Sequence, residues 1–318
     1  MSSFKPTSKG SRDGGGYVSS EDLTHPDRIV IIDLDFVKYS SAGVGEKRSI
    51  IAIHKKSGKS KPFLNRTAFW GRKRKVLEGW LGDENKEREA KGLKPFTKEG
   101  FDIEDVQEPE PLENLLHTAK KQVQGVLTSL GTNNAEYFIG QGDSWRVEAS
   151  TLLKYKGQRS DLLKPVHLDA VSDYLKEKYN PHVCIGLEAD EMILIRYLEL
   201  KAQGKDVVVA QIDKDGYGCP MRLFNPNKPK EGIVDCDCFG ELYIDESGAG
   251  KKVRGKGRLF QLFQTISSDS VDNYVFNHNS SKKWGQMSAY KALVDCKDDK
   301  EALQKAIEVA KELYPEPK

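Results

Sequence analysis

The chain has 318 residues, enough to bury a full core as one domain with insertions or as two small domains. Its 37% hydrophobic and 31% charged residues describe a polar globular protein, and no apolar stretch reaches membrane-spanning length. A formal net charge of +2 neither requires nor excludes nucleic acid, because acids gathered in one cleft leave the remaining surface relatively basic.

Residues 1–26 are rich in Ser, Gly and Lys, with Gly14-Gly15-Gly16, and are expected to form a disordered tail. Residues 28–33 are an apolar run closed by an acid, the form of a buried parallel strand. Residues 49–53 and 62–69 flank Ser57-Gly58-Lys59 and predict an exposed basic hairpin. Residues 80–111, dense in charge and bearing prolines, predict a partly helical or mobile insertion. After Pro111 the spacing of Leu112, Leu115, Ala119, Val123, Val126 and Leu130 predicts a helix stopped by Gly131.

A strand at 137–139 follows, then helices at 145–155 and from Pro165 to about residue 179. The strand 182–185, helix 188–202 and strand 207–212 show the alternation of a parallel sheet with crossover helices. Residues 233–244 predict strands at a sheet edge, and helices are expected at 259–266, 287–294 and 300–313.

Two stretches are basic without acids. Residues 47–75 hold eleven Lys or Arg, including Lys55 and Lys56, and residues 251–258 hold five. Both are candidates for phosphate contact. The five cysteines lack paired spacing and no signal peptide is recognisable, so reduced thiols and a cytoplasmic location are expected. Cys236-Asp237-Cys238 is a poor start for a tetrahedral zinc site and has no convincing second pair.

The most telling pattern is acidic. Asp33 and Asp35 follow the first predicted strand, Glu188, Asp190 and Glu191 follow the strand at 182–185, and Asp213 and Asp215 follow the strand at 207–212. Asp269 and Asp272 come later. Acids at a helix start favour its dipole, and that alone would explain residues 188–191. Independent capping does not explain three strand ends, two of which are expected to be neighbours in a doubly wound sheet. Crowded carboxylates need a counter-charge, which points to divalent metal.

Six stretches in order resemble the 5′ nuclease superfamily of flap endonucleases and 5′–3′ exonucleases, and most of all the 5′–3′ exonucleases of tailed phages. They are Ile-Val-Ile-Ile-Asp33-Leu-Asp35, Trp145-Arg146-x-Glu148, Tyr155-Lys156-x-x-Arg159, Gly186-Leu-Glu188-Ala-Asp190-Glu191, Ile212-Asp213-Lys214-Asp215, and Leu262-Phe-Gln-Thr-Ile266 leading to Asp269-x-x-Asp272. The resemblance implies an α/β, PIN-like parallel-sheet core with flanking helices over residues 27–266, with the basic hairpin insertion at about 43–111. A helical C-terminal DNA-binding region with a degenerate helix–hairpin–helix would occupy 267–318.

The resemblance further implies a magnesium-dependent 5′ nuclease that hydrolyses DNA phosphodiesters, as 5′–3′ exonuclease or flap endonuclease, in phage replication or recombination. Two Mg²⁺ ions are implied, with Mn²⁺ as a substitute. Asp33, Glu188, Asp190 and Glu191 would serve the first ion, and Asp213, Asp215, Asp269 and Asp272 the second. Asp143 stands in a shifted position for a further family Asp. Arg146, Lys156 and Arg159 match the substrate-side motif and would grip the scissile phosphate, with Tyr155 placed to stack on a base.

The implied partner is DNA with a 5′ end, flap or nick, bound by a monomer that works beside replication proteins in the host cytoplasm. The chain departs from the family after Asp272, where Trp284-Gly285 and the next helix keep only the outline of the DNA-binding turn and leave Lys282 and Lys283 for duplex contact. The alternatives are RNA-primer removal from RNA–DNA hybrids by the same site, and a structure-specific DNA-binding protein whose site has decayed.

Overall fold

The computed structural model describes residues 19, 23–71, 79–157, 162–248, 250–278, 280 and 282–314. In chain order it forms β1 (Ile29–Asp33), α1 (Leu34–Val44), β2 (Glu46–His54), β3 (Ser60–Phe63), α2 (Arg66–Trp70), α3 (Gly79–Ala90), β4 (Phe101–Pro109) and α4 (Leu112–Leu130). Next come β5 (Ala135–Ser144), α5 (Trp145–Ala149), α6 (Leu168–Tyr179), β6 (His182–Gly186), α7 (Ala189–Ala202) and β7 (Val207–Ala210). The chain continues through β8 (Arg222–Phe224), β9 (Ile233–Asp235), β10 (Glu241–Asp245), β11 (Lys252–Lys256), α8 (Gly257–Ile266), α9 (Gln286–Leu293) and α10 (Asp299–Leu313).

These elements fall into two compact units. One holds the chain up to Lys38 with residues 118–163 and 172–318, and the other holds 39–117 and 164–171. Residues 267–314 thus share a unit with the sheet that carries β1.

The first unit contains a mixed α/β layer around a six-stranded sheet of order β6-β5-β1-β7-β8-β9. All its pairings are parallel except β8 with β9. β1 is central and its residues 30–32 are fully buried, which is why it reads as an unbroken apolar run rather than an alternating one. On α7, Ile193, Tyr197 and Leu200 recur at helical spacing and join Ile31, Phe138, Val207, Val209 and Leu223 in one core. A second core in this unit joins Leu259, Phe260, Phe263 and Ile266 of α8 to Ala289 and Leu293 of α9, Ala302, Ala306 and Val309 of α10, and the β10–β11 hairpin.

The second unit is a three-stranded antiparallel sheet, β3-β2-β4, packed on α2 and α3. Its core is aromatic, with Phe69 and Phe101 buried among Phe63, Trp70, Trp80 and Phe96.

Several sequence expectations change. Strands 182–185 and 207–212 are not neighbours, because β5 and β1 lie between β6 and β7. The α7 crossover therefore spans two strands, a pairing choice that local sequence does not encode. The expected strand at 62–69 ends at Phe63, since Asn65 Oδ1 accepts from Ala68 N at 2.9 Å and starts α2. Within 80–111, α3 is followed by β4, paired with β2 along its whole length. The helix expected at 145–155 stops at Ala149, where Ser150 Oγ donates back to the Arg146 carbonyl. Residues 233–244 split between the sheet edge (β9) and a separate hairpin (β10 with β11). The tail expected at 1–26 lies mostly outside the described residues. Gly131, at φ +64°, does end α4 as expected.

Candidate active site

Parallel strands end at one edge of a sheet, so the acids that follow β1, β6 and β7 are delivered to the same side. Asp33 closes β1 and is buried. Its Oδ1 accepts from Asp35 N at 2.7 Å, and Asp35 in turn accepts from Gly140 N at 3.1 Å and pairs with Lys38. A Cβ on Gly140 would stand 2.7 Å from Asp35 Oδ2, so this approach depends on glycine. Burial, reinforced by the charges of Asp35 and Asp190, pushes the Asp33 carboxyl well above the usual range despite Lys38.

Glu188 and Glu191 do cap α7. They form a reciprocal capping box in which Glu188 N donates to Glu191 at 3.0 Å. They are also held by cations. Lys156 pairs with Glu188, and Arg146 reaches Glu188 at 3.1 Å and Glu191 at 3.0 Å. Tyr155 donates to Glu188 at 2.9 Å. Burial works to raise Glu188, but Lys156, Tyr155 and Arg146 outweigh it and hold its carboxyl low. Asp190 has the opposite balance: burial and the charges of Asp213, Glu188 and Asp215 push it up to about 7 against Lys156.

Asp213 begins the 3-10 turn Lys214–Gly218, its Oδ1 accepting from Asp215 N at 3.1 Å. Burial and Asp213 raise the Asp215 carboxyl, while Lys214 opposes them. Gln264 of α8 donates to Asp215, an approach allowed because position 218 is glycine: a Cβ there would lie 2.7 Å from Gln264 Oε1. Lys214 reaches Asp269 at 2.6 Å and Asp215 at 3.1 Å. For Asp269 burial is outweighed by Lys214 and by Val271 N, which donates at 2.8 Å, so its carboxyl is held low. Asp272 is tied in through its carbonyl, which accepts from Lys156 N at 3.2 Å. Lys156 itself sits at φ +52°, a strained backbone for a non-glycine residue.

The remaining expected site residues are less converged. Asp143 is exposed at the end of β5 and is not among the leading charges that act on Asp33 and Asp190. Arg159 lies outside the described residues. Lys55 pairs with Asp102 of β4 at 3.4 Å, and Lys56 is exposed; both belong to the second unit. Lys282 pairs with Glu312 at 2.7 Å, and Lys283 is exposed. Both basic runs are partly answered by nearby acids: Arg66 by Asp105, Arg254 by Asp245, Lys251 by Glu246 and Arg258 by Asp299.

A divalent ion suits this donor set. The candidates are all hard carboxylate oxygens, and Asp33, Asp190 and Asp215 each carry a raised carboxyl that an added cation would relieve. Among the described residues, no three His, Cys, Asp or Glu side chains stand together as one metal-gripping group. Lys156, Arg146 and Lys214 instead hold four of the acids. Sequence reading missed Lys38, Lys214 and Gln264. Lys214 was visible inside Asp213-Lys214-Asp215, whereas Gln264 carries no signal until α8 packs against the turn that holds Asp215.

All five cysteines are free thiols. No helix among the described residues is long and apolar enough to cross a membrane.

No protein-family model matches the chain, and no curated protein matches it. Among solved structures it is similar to a zinc-bound 5′-exonuclease of bacteriophage T5, at 18% identity over 61% of this chain and 76% of that one, with a TM-score of 0.39. It is also similar to the T5 D15 protein co-crystallised with metal ions, at 16% identity over 63% and 80%, with a TM-score of 0.41. A third similar structure is a pseudo-enzyme–product complex of the T5 D15 flap endonuclease with DNA and metal ions, at 16% identity over 63% and 78%, TM-score 0.40. At likenesses this low, the functional reading stands on the residues of the site.

Proposed function

We propose that this chain is a divalent-metal-dependent 5′ nuclease that hydrolyses DNA phosphodiesters, of the flap endonuclease and 5′–3′ exonuclease class, with Mg²⁺ as the working ion. The observation that carries the reading is the meeting of acids from three strand ends, Asp190 acting on Asp33 and acted on by Asp213 and Asp215, beside a cationic group formed by Lys156 and Arg146. A protein that only bound DNA would gain nothing by turning mutually repelling acids toward phosphate. The six sequence motifs support the same class.

Asp33, Asp190, Glu188 and Glu191 would hold one ion, and Asp213, Asp215, Asp269 and Asp272 are the candidates for another. Divalent ions at such a site polarise the phosphoryl group and stabilise the attacking and leaving oxygens. The chain's own groups do the rest. Asp35 and Gly140 fix Asp33. Arg146 and Lys156, engaged with Glu188 and Glu191 here, are the cations that would bind a non-bridging phosphate oxygen and orient the phosphate. Arg159 is the third proposed phosphate contact, from its place in the motif.

The test is cleavage of end-labelled flap, nicked, blunt and RNA–DNA substrates with and without Mg²⁺, beside Asp213→Asn. Loss of 5′-side cleavage in the variant, with DNA binding retained, is the expected result. Binding without cleavage on every substrate would sink the enzymatic reading.

A further inference from the structure

Both halves of the acidic set are met by cations. Arg146 and Lys156 are paired with Glu188 and Glu191, and Lys38 with Asp35. Asp215 and Asp269 share one ammonium group: Lys214 Nζ lies 3.1 Å from Asp215 Oδ1 and 2.6 Å from Asp269 Oδ2. An exposed ion pair contributes little by itself, but a single charge set between two carboxylates meets both at short range.

The local chain builds this placement. Asp213 caps the turn that begins at Lys214 and fixes the backbone from which the lysine folds back. Asp269 is held from its other side by Val271 N at 2.8 Å and by a two-way backbone bridge with Tyr274, both bonds 2.8 Å. Gln264 already donates to the Asp215 oxygen that Lys214 contacts. A divalent ion entering between Asp215 and Asp269 therefore has to displace a charge already seated there.

We propose that Lys214 is a built-in counter-ion that occupies the cation position between Asp215 and Asp269, so that a divalent ion enters that part of the site only by displacing the ammonium. This rests on the nuclease reading above and assigns Lys214 a positioning role within it. A protonated lysine adds no lone pair to a metal and competes with it by charge alone, so an apolar side chain at this position should strengthen an ion between those acids without creating a ligand.

The experiment is calorimetric titration of the full chain with Mn²⁺, with free Mn²⁺ followed by electron paramagnetic resonance. Wild type is compared with Lys214→Met, Lys214→Leu and Lys214→Arg, each checked for native circular dichroism. Lys214→Arg should take up Mn²⁺ as wild type does. The neutral variants should gain on the order of tenfold in the affinity of one ion. Unchanged Mn²⁺ affinities in both neutral variants overturn the role of Lys214 and leave the nuclease reading standing if DNA is still cut. No Mn²⁺ uptake by any of the proteins overturns both. The use of two neutral side chains keeps the test decisive if one of them fails to fold.

Discussion

The Tyr155 hydroxyl donates to Glu188 Oε2 at 2.9 Å, while Lys156 Nζ lies 4.8 Å from the centre of its ring and the Arg146 guanidinium carbon 5.7 Å from it. One aromatic side chain thus orients an acid through its hydroxyl and two cations through its ring. Tyr155→Phe keeps the ring but removes the bond to Glu188 and the one that the hydroxyl accepts from Arg146 at 3.3 Å. The Mg²⁺ concentration for half-maximal cleavage should rise on the order of tenfold, with DNA affinity unchanged. If Tyr155→Phe behaves as wild type while Tyr155→Ala loses DNA binding, the ring is a base-stacking surface instead.

Asp190 takes no part in the cap of α7, and burial with the charge of Asp213 raises its carboxyl against Lys156, whereas Glu188 and Glu191 have a capping duty of their own. Asp190→Asn should lower cleavage on the order of a hundredfold and leave the fold intact. Glu191→Ala should weaken α7 as well, because it removes the acceptor for Glu188 N, so its thermal midpoint should fall while that of Asp190→Asn does not. Thermal unfolding beside single-turnover cleavage separates the two.

The metal-free protein should lose stability as pH rises from about 5 to 8. Asp190 is pushed by burial and by Asp213 up to about 7, and Asp33 is raised as well. A carboxyl raised in the folded state contributes stability that is fully present below its unfolded pKa, about 3.9, and is lost as pH climbs through the folded value. Glu188 and Asp269 are held low, so their contribution is present above the ordinary carboxylate range and is lost only on stronger acidification. The thermal midpoint in chelator should therefore be highest at mildly acidic pH, and Mg²⁺ should flatten its fall toward pH 8. A midpoint that does not vary between pH 5 and 8 in chelator would contradict these shifts.

Gly140→Ala places a methyl group 2.7 Å from Asp35 Oδ2. The expected cost is about 1–3 kcal/mol in urea unfolding, together with weaker metal binding if the displaced Asp35 side chain carries along its backbone N–H, which donates to Asp33. Wild-type stability and wild-type Mn²⁺ affinity in this variant would show that Asp35 moves aside without consequence.

Lys55 and Lys56 lie at the β2–β3 turn, where Lys55 pairs with Asp102 and Lys56 is exposed. If the hairpin contacts duplex phosphates, the double Ala variant should reduce the slope of log K against log salt by about 2. An unchanged slope would remove the hairpin from the DNA interface.

Much of the fold was legible because its local signals were strong. The apolar run of β1, the helical spacing of α4 with its Gly131 stop, and the β6–α7–β7 alternation are all patterns of residue type along the chain. The acidic motifs were legible for the same reason, since each sits beside an element end. β4 was obscured: Phe101, Ile103 and Val106 are interrupted by Asp102, Glu104 and Asp105, and only pairing with β2 makes that segment a strand. Five-residue α5 was overextended because the pattern continued past Ser150 while the hydrogen bonding did not.

The sequence alone determined that acids would gather where parallel strands end, because strand polarity and chain order decide which residues meet that edge. It also determined that Glu188 would start a helix. Only the tertiary structure decided the balance of charge. Which acid is raised by its neighbours, as Asp190 is, and which is held by a cation, as Asp269 is by Lys214, depends on side chains brought together from distant segments. Burial and a neighbour's charge act through space at a few ångströms, and spacing along the chain does not encode those distances.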